Sequence, residues 1–111
     1  MTMAALDLWV DVGALADVPS QGARRVETPI GPVAVFRTRG DQFFALIDKC
    51  PHKGGPLSEG IVHGDGVSCP LHNWVIDLNS GEPRGADAGK GCAPPVPVRV
   101  VEGRIELRIA R

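Results

Sequence analysis

The segment CPHKGGPLSEGIVHGDGVSCPLH, residues 50–72, holds two of the three cysteines and all three histidines of the chain. It opens with C-P-H at 50–52 and closes with C-P-L-H at 69–72, and sixteen residues separate these two elements. A proline fixes φ after each cysteine, and Gly54-Gly55 permits a sharp bend. The spacing predicts two compact loops. Each loop carries one thiol and one imidazole, and the two loops meet at a shared metal centre. The predicted ligands are Cys50, His52, Cys69 and His72.

This donor set suits iron–sulfur chemistry. Cysteine thiolate is the usual ligand of such clusters, and two imidazoles in place of two thiolates on one iron raise the reduction potential. A structural zinc site accepts the same four donors, although C-x-H is tighter than ordinary zinc spacing. The residues alone therefore favour a [2Fe–2S] cluster and leave zinc as an alternative. Four unrelated core residues are the third explanation.

Around this segment the chain has the pattern of short strands. Fourteen glycines and ten prolines divide it into pieces too short for long helices. The only helical candidate is residues 12–18, which Pro19 ends. Glu102-Gly103 is a two-residue hairpin signal, and the run after it alternates apolar and charged residues, the period of a half-buried strand. The predicted strands are residues 8–12, 31–37, 42–47, 96–101 and 104–109. We therefore predict an all-β fold of short strands, either a sandwich or a partly closed barrel.

The chain length fits one domain, residues 1–111. The part from about 49 to 85 differs from the rest, because it is rich in glycine and proline and carries the predicted ligands. Functional loops commonly sit on a rigid scaffold in this way. We predict a cluster-binding subdomain at about 49–85, inserted in a β base.

Charge and hydropathy exclude several kinds of partner. The formal net charge is −1, whereas nucleic-acid binders normally show a basic excess or patch. No apolar run approaches the roughly 20 residues that span a bilayer. Residues 1–20 contain three aspartates and no Lys or Arg, unlike the basic start of a signal peptide. We expect a cytoplasmic protein with no nucleic-acid partner and no membrane contact.

Residues 50–57 and 69–74 resemble the two ligand boxes of Rieske proteins. Residues 8–10, 77–82 and 97–100 resemble further parts of that family. The resemblance implies a fold of stacked antiparallel sheets with a two-loop cluster-binding subdomain. It also implies a Rieske-type [2Fe–2S] cluster. In that cluster Cys50 and Cys69 would hold the buried iron, and His52 and His72 the exposed iron.

Within the family, the sequence is most similar to that of the small subunit of assimilatory NAD(P)H-dependent nitrite reductase. The similar stretches are residues 60–64, 71–78, 85–87 and 91–92. Asn73 stands where dioxygenase ferredoxins usually have glycine. This resemblance implies an electron-relaying, non-catalytic subunit of an oxidoreductase that reduces nitrite to ammonium in nitrogen assimilation. Its partner would be a large subunit with sirohaem and flavin, since this chain has no dinucleotide fingerprint and no complete catalytic site.

Two other functions stay open. The chain could be a free Rieske ferredoxin that delivers electrons to a ring-hydroxylating oxygenase, or a zinc-stabilised interaction domain. Three residues near the boxes are weighed separately. We expect His63 to be a surface loop residue and Cys92 to be a small buried apolar residue. Trp74 has two equal explanations, as a shield for the cluster or as ordinary strand packing.

The resemblance also bears on the reduction potential. High-potential Rieske proteins carry an extra cysteine in each box, joined as a disulfide, and hydroxyl donors two and four residues after the second histidine. Here Gly55 and Leu71 replace the cysteines. Trp74 and Ile76 replace the donors, and the chain contains no tyrosine. Fewer hydrogen bonds to the cluster sulfurs disfavour the reduced cluster, so we expect a potential of about −150 mV, the low end of the Rieske range.

Overall fold

The computed structural model describes residues 7–50, 54–70, 74–85 and 91–110. In these ranges the chain forms nine strands and two single-turn 3₁₀ helices. The strands are β1 (Asp7–Ala14), β2 (Gly22–Thr28), β3 (Gly31–Arg37), β4 (Phe43–Ile47), β5 (Ile61–His63), β6 (Gly66–Ser68), β7 (Val75–Asp77), β8 (Val98–Val101) and β9 (Arg104–Ala110). The 3₁₀ helices are Leu15–Asp17 and Leu57–Glu59.

The strands form three antiparallel sheets of three strands each. Their orders are β1-β9-β8, β2-β3-β4 and β5-β6-β7. The fold class expected from the sequence, an all-β protein built of antiparallel sheets, is confirmed. None of the helices in the described ranges has the length and apolar character needed to cross a membrane.

The sheet β2-β3-β4 lies between two apolar cores. Side chains alternate along a strand, and in β3 both sets are buried: Val33 and Val35 enter one core, Ala34 and Phe36 the other. This double burial explains why β3 is a continuous apolar run. The first core is completed by side chains of β9, and the second by side chains of β5, β6 and β7. The three sheets are therefore stacked.

All five predicted strands are present, and the structure differs from expectation in two other ways. The helix expected at residues 12–18 is wrong: β1 continues to Ala14 and stays paired with β9 past a register shift between Asp11 and Gly13, and only Leu15–Asp17 makes a single 3₁₀ turn. The Asp17 carboxylate accepts the Ala14 N–H at 2.9 Å and so stabilises this tight turn. The sequence pattern does not indicate β2 or the three short strands β5 to β7, all of which the structure contains.

Candidate metal centre

The first cysteine loop follows β4, and the backbone closes it at its base. The Cys50 N–H donates to the Gly55 carbonyl at 2.8 Å, and the Gly54 N–H donates to the Cys50 carbonyl at 2.8 Å. Gly54 has a φ of +73°, in the left-handed region that glycine occupies without a Cβ penalty. The bend expected at Gly54-Gly55 is therefore present.

The second cysteine loop joins β6 to β7 and is closed in the same way. The Cys69 N–H donates to the Trp74 carbonyl at 2.7 Å. In both loops, then, the cysteine amide is bonded to the carbonyl five residues later, although the residues between them differ. In the sequence, His52 and His72 each fall between the two bonded residues of their loop.

Both cysteines of the two boxes are buried in the same core. Cys50 is 1% exposed and Cys69 is 0% exposed, and they belong to one apolar cluster with residues of β5, β6 and β7. Neither forms a disulfide. Two thiols held in a shared core, each at the base of a matched loop, have the chemistry that an iron–sulfur cluster requires.

His52 and His72 lie outside the described residues, as do their immediate neighbours at 51, 53, 71 and 73. The structure thus brings together the two cysteines of the predicted ligand set. The complete set of Cys50, His52, Cys69 and His72 stays a prediction, and so does the cluster-binding subdomain at 49–85.

An ion-pair network supports the sheet that carries the second loop. Arg84 Nη2 donates to the Asp65 carboxylate at 2.6 Å and to the Asp77 carboxylate at 3.3 Å. The hydrogen bond that Arg84 donates to Asp65 is the main reason that the pKa of Arg84 is raised. Partial burial raises the pKa of Asp77, but hydrogen bonds from the Asn79 N–H and from Arg84 outweigh it and leave that pKa lowered. The network joins the β5–β6 turn to the end of β7.

Three further residues lie near the two cysteine loops: Trp74, His63 and Cys92. Trp74 is half-buried and packs against the core that contains both cysteines. His63 is exposed as expected, but it lies in β5, with its ring Nε2 2.8 Å from the Ser68 hydroxyl. Cys92 is exposed, so the expectation of a buried cysteine is wrong. The next residue, Ala93, fills the core position instead, and the Cys92 thiol donates to the Ser80 carbonyl at 3.3 Å.

Sequence reasoning missed one group beside the first loop. The Asp48 side chain is fully buried and accepts two hydrogen bonds from Ser58. The available signal was an acidic residue directly after an apolar strand and two residues before a cysteine. Because a buried carboxylate requires donors, that position alone could have indicated a structured contact.

Comparison with known proteins adds three findings. A family model of the Rieske [2Fe–2S] domain matches residues 8–100. The anthranilate 1,2-dioxygenase ferredoxin subunit of Burkholderia cepacia is 40% identical over 116 residues, which cover 98% of this chain and 99% of that protein. The complex of reduced oxygenase and oxidised ferredoxin in carbazole 1,9a-dioxygenase contains a similar chain, with a TM-score of 0.80, 31% identity, and coverage of 93% of this chain and 95% of that one.

A further solved structure is similar at lower identity. It is described as an NADH-dependent nitrite reductase small subunit from Mycobacterium tuberculosis. Its TM-score is 0.84 at 25% identity, and the match covers 95% of this chain and 97% of that chain. The two structural matches thus come from different redox systems, whereas the 40% sequence match is to a dioxygenase ferredoxin subunit.

Proposed function

The chain belongs to the Rieske [2Fe–2S] family, and from that premise we propose that it is a ferredoxin that delivers electrons to a ring-hydroxylating oxygenase. Membership means that it binds a Rieske-type [2Fe–2S] cluster and relays electrons as a component of an oxidoreductase. One observation carries the finer assignment: a dioxygenase ferredoxin subunit is 40% identical along nearly the whole of both chains. The function expected from the sequence, a nitrite reductase small subunit, becomes the second candidate.

The proposed ligands are those that the sequence indicates. Cys50 and Cys69 supply the thiolates and His52 and His72 the imidazoles. Burial of both thiols in one core and the absence of a disulfide at either cysteine support the first pair. Spacing within the two boxes supports the second pair. When bound, the cluster supplies one-electron transfer.

The chain's own residues hold the two cysteine loops in place and keep the site dry on its protein side. The bonds Cys50 N–H to Gly55 and Cys69 N–H to Trp74 fix the base of each loop. Leu57 and Ile76 are fully buried in the core that contains both cysteines, and they help to keep water out of that core. A site that is rigid and dry on its protein side needs little rearrangement when its charge changes.

The nitrite reductase candidate rests on two observations. The structure of a nitrite reductase small subunit is similar over nearly the full length of both chains. In addition, Asn73 follows the second predicted histidine, where dioxygenase ferredoxins usually have glycine. In that case the partner would be a large subunit with sirohaem and flavin, bound in a stable complex.

Gene deletion in the native host separates the two candidates. If the chain serves an oxygenase, the deletion strain loses growth on an aromatic compound whose breakdown begins with ring dioxygenation, and it grows normally on nitrite as sole nitrogen source. Complementation with the wild-type gene is the control. Loss of growth on nitrate and nitrite, with co-purification of a sirohaem protein, would contradict the oxygenase assignment and support the second candidate.

A further inference from the structure

Asp48 lies two residues before Cys50, and its carboxylate is fully buried. One carboxylate oxygen accepts the Ser58 N–H at 2.8 Å, and the other accepts the Ser58 hydroxyl at 2.6 Å. The second oxygen also lies 3.7 Å from Arg25 Nη1. All these neighbours are donors, so the carboxylate acts only as an acceptor.

The Asp48–Ser58 contact joins the two sides of the first cysteine loop. On the entering side, the Asp48 N–H donates to the Pro32 carbonyl at 3.0 Å, which ties it to the start of β3. On the leaving side, Ser58 lies in the 3₁₀ helix Leu57–Glu59. Leu57 is fully buried in the core that contains Cys50 and Cys69. The loop that starts at Cys50 is therefore held at both ends by groups anchored in the fold.

We propose that Asp48 is a positioning residue: it fixes the Cys50 loop through Ser58 and places a carboxylate two residues from the proposed ligand Cys50. This inference rests on the proposed role of Cys50 as a cluster ligand. Two consequences follow. The loop resists the opening through which a cluster is lost, and the nearby negative charge disfavours addition of an electron to the site.

A purely structural role for Asp48 would lower the free energy of unfolding and leave the midpoint potential unchanged. The chain offers a matched control for the charge. Glu27 pairs with the same guanidinium, its carboxylate 3.1 Å from Arg25 Nε, and it is largely exposed. The structure shows its carboxylate bonded to Arg25 and not to Ser58. Glu27→Gln therefore perturbs Arg25 without touching the loop.

The test compares the holoprotein with three variants: Asp48→Asn, Ser58→Ala and Glu27→Gln. Asp48→Asn keeps the shape and one acceptor but removes the charge. We expect its midpoint potential to rise by up to about 59 mV, which corresponds to a tenfold change in the one-electron redox equilibrium. We expect loss of visible absorbance in a chelator to become several-fold faster in Asp48→Asn and in Ser58→Ala. Glu27→Gln should match the wild type in both measurements.

A wild-type midpoint and loss rate in Asp48→Asn would overturn the inference, and so would equal shifts in Glu27→Gln. If Asp48→Asn does not fold, Ser58→Ala decides, since a wild-type loss rate there contradicts positioning through Ser58. Both measurements use the isolated holoprotein. Failure to reduce an oxygenase would therefore overturn the proposed function and leave the role of Asp48 standing, whereas wild-type protein without labile sulfide would overturn both.

Discussion

At the scale of single residues, Asp77 stabilises the turn that follows β7. Its carboxylate accepts the Asn79 N–H at 3.1 Å, the Ser80 hydroxyl at 3.3 Å and Arg84 Nη2 at 3.3 Å. Partial burial opposes ionisation, but the hydrogen bonds from Asn79 and Arg84 outweigh it and leave the pKa of Asp77 lowered in the folded protein. A carboxyl with a lowered folded pKa adds stability above its unfolded value of about 3.9 and loses it as the pH falls through the folded value.

We therefore expect Asp77→Asn to lower the free energy of unfolding at pH 7 by about 1 kcal/mol. Below pH 4 or so the difference from wild type should shrink, because the wild-type carboxyl becomes protonated there. Urea unfolding at pH 7 and at pH 3 measures this. Glu102→Gln, in an exposed turn far along the chain, is the control. A difference that is the same at both pH values would contradict the expected role of the charge.

Gly81 connects the β7 turn to the segment that follows residue 90. Its N–H donates to the Asp77 carbonyl at 2.7 Å, and its carbonyl accepts the Ala93 N–H at 2.8 Å. Gly81 has a φ of +75°, and a Cβ there would collide with the Ala93 backbone. Gly85 has a φ of +67°, and beyond its chain neighbours no atom of the described residues lies within 4 Å of a Cβ built there. A substitution at Gly85 therefore measures the cost of the backbone conformation alone.

We expect Gly81→Ala to lower the free energy of unfolding by about 3 kcal/mol or more, because a backbone clash is added to the left-handed conformation. Gly85→Ala should cost only about 1 kcal/mol, the conformational part. Chemical denaturation of the two variants beside wild type measures both. Equal losses would show that the contact with Ala93 contributes little.

Among the secondary-structure elements, those with strong local signals were predictable. The residue bounds of β3 agree with the predicted strand, because its apolar run is bounded by Gly31 and by polar residues. The exposed edge strand β2 was missed, since Arg24, Arg25 and Glu27 conceal its alternation. The strands β5 to β7 have three residues each, too few to show a period.

The β8–β9 hairpin offers a test at this scale. Glu102 and Gly103 both have positive φ, +50° and +78°, as a type I′ turn requires. Asn is favoured over Glu at the first of these positions. We expect Glu102→Asn to raise the free energy of unfolding by about 0.5 kcal/mol. Glu102→Ala is the matched control, and thermal or urea unfolding should place it at or below wild type. A destabilised Glu102→Asn would contradict the turn assignment.

In the site too, features with a local sequence signal were predictable, and contacts between residues distant in the sequence were not. The spacing of the two cysteines and the proline after each are enough to predict that each cysteine begins a compact loop. Asp48 and Arg84 could not be assigned roles, because their partners Ser58 and Asp65 are distant in the sequence and are brought close only by the fold. The prediction that Cys92 is buried is wrong for a related reason, because the neighbouring residue Ala93 takes the buried position.

At the scale of the whole molecule, the stacked sheets place the cysteines in an apolar core on one side of β2-β3-β4. Ile76, which stands where high-potential Rieske proteins have a hydroxyl donor, is fully buried in that core. The positions of a cross-loop disulfide hold Gly55 and Leu71. We therefore expect a midpoint potential of about −150 mV in a redox titration of the holoprotein. A midpoint well above zero would show that other groups set the potential.

The most direct test of the central claim is the iron and acid-labile sulfide content of anaerobically purified protein, measured for wild type and for single alanine variants of the three histidines. One Rieske cluster per chain corresponds to two irons and two sulfides. We expect this content in the wild type and in His63→Ala, and its loss, together with the Rieske EPR signal, in His52→Ala and His72→Ala. One zinc without labile sulfide in the wild type, or a full cluster in His52→Ala and His72→Ala, would contradict the claim.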